Sequence, residues 1–234
     1  MIERETDKKI LQLKKYFEYA EMRLAIHEAA HVVITYLVGH SCLYMQTGLQ
    51  RNVSLKNNII QIDAQSISQI RSIFPVHLDK ALQLFTVGYN LQSTSITLGI
   101  SQKIIYTEIK KHILVLTAGY VAEKYFYDTI WYWKLRQTPK KYSMDLTPSD
   151  LRHDLTKIRF LSGHIQMNVQ QQAEYKKIVR RILKNRIVKN TCFNLANECL
   201  KKTKINQHEI ENILKESGFE KIREDLFNSI MSKL

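Results

Sequence analysis

Two histidines flank a glutamate in the run His27-Glu28-Ala29-Ala30-His31, an HExxH spacing inside a helical pattern. At 3.6 residues per turn, positions i and i+4 share a face, so both imidazoles reach one metal ion. Glu28 leans towards the same point, where it can take a proton from an activated water. A zinc ion with three protein ligands keeps an open position at which water becomes acidic enough to attack a carbonyl near neutral pH. The spacing therefore points to peptide hydrolysis without a covalent intermediate. The competing reading is a helix with two histidines on its polar edge. The flanks oppose it: Ile26, Ala29, Ala30, Val32 and Val33 are apolar or small, and unpaired imidazoles on a buried helix are costly.

A third ligand must come from another part of the chain. Ile34 and Leu37 stand where the HExxHxxGxxH extension needs glycine and histidine. His40 lies past the helix end, and Cys42 reads as a small buried hydrophobe. Glu123, in an apolar helical run, and Asp150, at the head of SDLRHDLTKI, remain. Each also has a structural reading, Glu123 as a buried acid with a basic partner and Asp150 as a helix-start acid. His153 and Asp154 share a face with Asp150 and serve as supporting or substitute ligands.

The elements that must hold these residues are mostly helical. Residues 8–39 read as helix, broken near Glu18 to Met22 and stopped at Gly39. A small hairpin is expected in 42–63, turning at Asn57-Asn58. Helices follow at 64–73 and 77–91, then the most apolar one at 101–127. The aromatic cluster Trp131-Tyr132-Trp133 opens an aperiodic loop, read as a small satellite core or a lip of the substrate cleft. Thr147-Pro148-Ser149-Asp150 is a helix start, with cap, proline and acid in order. That helix runs to about Ser162, and two or three more fill 169–233, with breaks at 204–207 and Gly218. The expected class is mainly α with a small β-hairpin, in one domain over 1–234 whose segment 168–234 packs on the zinc core.

Composition agrees. The chain has 234 residues with only 7 Gly and 3 Pro, too few to punctuate a strand-rich fold. Hydrophobic residues at 44% and charged residues at 24% exclude a disordered, collagenous or disulfide-scaffold chain. A formal charge of +13 suits acidic partners. The basic helix carrying Lys176, Lys177, Arg180, Arg181, Lys184 and Lys189 lacks interleaved aromatics. It reads as a solvated face, and nucleic acid is not an expected partner. Three cysteines without a CxxC pair read as thiols in a reducing compartment. No run of 18 apolar residues and no signal-peptide pattern occurs, so a cytoplasmic protein without a membrane span is expected.

The segment AIHEAAHVVITYLVG resembles the zinc helix of the FtsH-type peptidases, the proteolytic domain of membrane AAA+ proteases. LTAGYVAEKYFYD is similar to that family's GGRxAEE helix, and TPSDLRHDLTKIRFL to its SNDLxxAT segment. The run from Tyr175 to Leu214 is similar to its C-terminal helices. The resemblance implies a zincin-like HExxH helix in a multi-helix domain holding one zinc per chain. His27, His31 and Asp150 become its ligands, Glu28 the catalytic base and Glu123 a supporting acid. Ala30 stands for the usual motif glycine and Tyr120 for the arginine of GGRxAEE, and no GxxxxGK[ST] phosphate loop occurs. The expectation is a stand-alone, ATP-independent zinc metallopeptidase acting on peptides or unfolded protein, with an ATPase in trans or a homo-oligomer compatible with it. The alternatives are a non-catalytic zinc-binding helical adaptor and a repressor-cleaving regulatory HExxH peptidase.

Overall fold

The structure, a computed structural model, describes residues 2–56, 59–66, 69–126 and 149–232; within these, the side chains of 2–17, 19–20, 49–56, 59–66 and 149–152 lie outside the description. The first helix, α1 (Ile2–Leu37), is continuous through the expected break near Glu18 to Met22. It contains neither glycine nor proline, so nothing interrupts its hydrogen-bond ladder. Every residue from Leu24 to Val38 is buried, as in a helix surrounded by other elements rather than lying on a surface. It ends in a Schellman turn: the Gly39 amide donates to Tyr36 and the His40 amide to Thr35. Gly39 supplies the required left-handed φ of +87°.

Five strands follow from two sources. β1 (Ser41–Gln46) is central in a three-stranded antiparallel sheet, between β4 (Gln69–Ile73) and β5 (Lys204–Asn206). β2 (Leu49–Lys56) and β3 (Ile59–Ser66) form a separate hairpin with Lys56 opposite Ile59. The turn expected at Asn57-Asn58 lies outside the described residues. The hairpin was legible, but the helix expected at 64–73 is instead the end of β3 followed by β4. The cause is tertiary. β4 alternates exposed and half-buried residues and takes its register from β1, Ile70 facing Met45, so pairing overrides local propensity.

The remaining helices are α2 (Val76–Thr86), α3 (Leu91–Leu98), α4 (Gln102–Phe126), α5 (Ser149–His164), α6 (Val169–Lys184), α7 (Arg186–Lys202), α8 (Gln207–Glu216) and α9 (Glu220–Met231). The single helix expected at 77–91 stops at Val87, and Asn90 starts a new one with a capping box to Ser93. Asn168, Asn185 and Asn206 cap α6, α7 and α8, each cap worth about 1 kcal/mol. α1 packs against α4 on one side and α7 on another, while α5 and α6 lie against α4. One connected apolar cluster runs from Ala25 to Ile230. The helix-start residues Thr147-Pro148 and the Trp131-Tyr132-Trp133 cluster lie outside the described residues.

Candidate metal centre

Three elements build the site. The buried half of α1 carries His27, Glu28 and His31, which are 1%, 4% and 5% exposed. α5 brings Asp154 across from the other side, also buried. α4 runs beneath them both.

The two imidazoles and the carboxylate converge on one point. His31 Nε2 lies 2.9 Å from His27 Nε2 and 3.0 Å from Asp154 Oδ2. His27 Nε2 lies 3.1 Å from the same Oδ2. Tetrahedral ligands at zinc bond lengths are separated by about 3.3 Å, so this near-equilateral triangle has the dimensions of one face of such a site.

What lies behind the rings fixes which nitrogens face inward. His31 Nδ1 meets the Val115 carbonyl at 2.7 Å, and a carbonyl can only accept, so Nδ1 carries a proton. His27 Nδ1 meets Glu123 Oε1 at 2.6 Å, and Arg23 Nε donates to the other Glu123 oxygen at 2.5 Å. Burial works against charge on Glu123, but His27 and Arg23 outweigh it and hold the carboxyl below its usual range. Glu123 is therefore an ionised acceptor, and His27 Nδ1 also carries a proton. With both Nδ1 positions protonated, neutral rings present two bare Nε2 lone pairs to each other and to a carboxylate oxygen. Three lone pairs at these distances repel unless a cation sits among them. A proton relieves two of the contacts at most; a metal ion relieves all three. The demand for positive charge shows at His27: burial opposes the imidazolium, yet Asp154 and Glu123 outweigh it and lift its pKa to about 10. Asp154 is displaced the opposite way; burial would raise its pKa, and the two histidines depress it.

Gly119 on α4 supplies the remaining space. A Cβ there would stand 2.5 Å from both Nε2 atoms, closer than any side chain tolerates. A glycine inside a helix ordinarily costs about 0.5–1 kcal/mol relative to alanine, and here it lets the helix backbone pass directly under the ligand atoms.

The centre opens into a cavity of about 390 Å³. Glu28 lines it beside the ligands, as do His153 and Lys157 from α5, His112 and Leu116 from α4, and Gln69, Ile70 and Ser72 from β4. β4 is an outer strand of its sheet.

The expected site residues thus have these positions. His27, His31 and Asp154 form a cluster with metal-ligand spacing, Glu28 stands at the cavity beside it, and Glu123 supports His27 from behind. His153 is exposed on the cavity wall rather than within the cluster. Asp150 is the second residue of α5, one turn before Asp154, and its side chain lies outside the described ones. Among the described side chains, the carboxylate that joins the two histidines is Asp154, which the sequence offered as the substitute for Asp150. His40 instead sits 3.0 Å from Glu108. Cys42 donates its thiol to the Tyr44 carbonyl, and burial pushes its pKa up to about 12. Four contributors escaped the sequence reading: Gly119, the Val115 carbonyl, Arg23 and His112. A signal for three of them exists, since His112, Val115, Gly119 and Glu123 fall on one stripe of α4 at spacings of three, four and four. Comparison with protein-family models and with curated protein sequences found no match.

Proposed function

We propose that the chain is a zinc-dependent peptidase hydrolysing peptide bonds with a water activated beside Glu28. The observation that carries this reading is the convergence of two Nε2 atoms and a carboxylate oxygen within 3.1 Å of one another, at the floor of an open cavity with a glutamate alongside. Two imidazoles and one carboxylate are a donor set suited to zinc, and they leave a coordination position open. When bound, the ion would supply Lewis acidity to the carbonyl and lower the pKa of a water.

The protein's own groups then have defined tasks. Glu123, anchored by Arg23, and the Val115 carbonyl hold the two rings in the tautomer that points Nε2 inward. Glu28 takes a proton from the attacking water as its oxygen bonds to the carbonyl carbon. It returns that proton to the leaving nitrogen as the C–N bond breaks. None of these steps consumes a nucleotide. The reading extends the resemblance to FtsH-type peptidases with one change, Asp154 in the role of the family's third ligand. An unfolded segment or short peptide fits such chemistry, and an ATPase acting in trans would widen the substrate range.

The test is cleavage of casein and of fluorogenic peptides by the zinc-loaded chain beside Glu28→Gln. The reading predicts cleavage by wild type, a fall of at least about 10²-fold in the variant, and equal metal content in both. Equal cleavage by both would overturn it. Metal bound by both and cleavage by neither would favour the zinc-binding adaptor.

A further inference from the structure

Among the described residues, His112 is an imidazole on the cavity wall that stands outside the metal cluster and holds a buried nitrogen without a hydrogen bond. It lies two turns before Gly119 on α4, on the stripe that faces the centre. Its ring meets the Phe74 ring edge-on at 4.6 Å, and its Nδ1 is sealed from solvent without a partner. The ring lines the cavity, which leaves Nε2 as its accessible nitrogen. Only one nitrogen of a neutral imidazole carries hydrogen. A buried N–H without a partner is rarer and costlier than a bare acceptor, so the hydrogen belongs on Nε2, facing the cavity. Burial and the nearby Lys157 ammonium push the His112 pKa down to about 3, so the ring stays neutral across the working range of an enzyme. Lys157, three residues after Asp154, lines the same wall.

We propose that His112 donates from Nε2 to the substrate carbonyl oxygen as that oxygen takes up negative charge. This deepens the peptidase reading and rests on it. As the water oxygen bonds to carbon, its proton passes to Glu28 and the carbonyl π pair moves onto oxygen. A fixed, neutral N–H stabilises that oxyanion without surrendering its proton, and it needs no reorganisation at the moment of reaction. Collapse of the adduct re-forms the carbonyl, breaks the C–N bond and sends the Glu28 proton to the amine. Lys157 adds positive potential from the side. His112 forms its strong contact only with the charged oxygen, so its effect falls on kcat and little on KM.

The test compares zinc-loaded wild type, His112→Phe and His112→Gln. Phenylalanine keeps a flat ring against Phe74 and removes the donor; glutamine restores one. Metal content, kcat, KM and the pH profile on a fluorogenic peptide are measured, together with binding of a phosphonamidate peptide, a tetrahedral mimic of the adduct. His112→Phe is expected to keep its metal and lose about 10²–10³-fold in kcat. KM should stay within about threefold and the limbs of the pH profile should not move. Phosphonamidate binding should weaken about 10²-fold, and His112→Gln should recover part of each loss. Unchanged kcat in His112→Phe, a loss confined to KM, or metal loss in both variants would overturn the role while leaving the peptidase reading intact. If wild type cleaves no peptide, equal phosphonamidate binding by wild type and His112→Phe, or binding by neither, overturns it. The wild-type control separates that result from failure of the role alone.

Discussion

At the scale of single residues, the site depends on atoms that sequence rules would call expendable. Gly119→Ala improves helix propensity, yet its Cβ falls on both ligand nitrogens. The variant should keep its helix content and lose metal affinity by at least about 10²-fold, comparable to the loss of an orienting partner or worse. Circular dichroism beside a chelator competition would show the separation; unimpaired affinity would contradict the packing described here. The pH response follows from His27, whose pKa in the metal-free protein is raised from 6.5 to about 10. Its proton stabilises the metal-free fold fully below pH 6.5, and that contribution is lost as pH rises towards 10. Metal and proton compete for the same Nε2, so across that window each ion bound should release about one proton and apparent affinity should climb about tenfold per pH unit. Proton release measured in a pH-stat during zinc titration checks this. The His27, Glu28 and His31 arrangement was legible because helix geometry fixes it locally. The carboxylate of the candidate cluster was less so, since Ser149-Asp150-Leu151 and His153-Asp154-Leu155 repeat the same Asp-Leu pair one turn apart. Which side chain meets the histidines depends on how α5 sits against α1, and that placement brings Asp154 to them.

At the scale of elements, α4 organises the centre from below, and an ion cluster ties it to the end of α1. Glu108 on α4 meets His40, just past α1, at 3.0 Å and Lys111 at 2.8 Å. Burial alone would raise the Glu108 pKa, but His40 and Lys111 outweigh it and bring it to about 2. A depressed carboxylate contributes stability above its ordinary pKa near 4.5 and loses it as pH falls towards 2. Glu108→Gln should therefore unfold at lower temperature than wild type at pH 7, with the gap closing by about pH 2; a constant gap would show that the cluster is not what the substitution removes. Helix starts and stops were readable where a residue carries the signal itself, as at Gly39 and Gly218, and the 204–207 break was placed as well. The β2–β3 hairpin was readable too; the three-stranded sheet was not. β1 pairs with β5 across most of the chain, and no local pattern encodes a partner that distant.

At the scale of the whole molecule, the fold is mainly helical around one apolar cluster, and no helix among the described residues is long and apolar enough to cross a membrane. Because the candidate ligands His27, His31 and Asp154 come from α1 and α5, far apart in sequence, an ion bound by them would stabilise the folded chain over the unfolded one. Zinc at about 100 times its dissociation constant adds about 2.7 kcal/mol, which raises Tm by about 5–10 °C for a chain of this size. Wild type should show that rise and a chelator should reverse it; an unmoved Tm would mean that the folded chain holds no such ion. The excess of positive charge was plain from composition, but the cavity's own character was not, since it depends on which side chains α4, α5 and β4 turn inward.

The most direct measurement is metal content with X-ray absorption at the zinc edge, on wild type, Asp154→Ala and Asp150→Ala prepared identically. We predict about one zinc per chain in wild type, with a shell of two imidazole nitrogens and oxygen. Asp154→Ala should lose the ion, and Asp150→Ala should retain it. Retention in Asp154→Ala with loss in Asp150→Ala, or a wild type that takes up no metal, would contradict the centre described here.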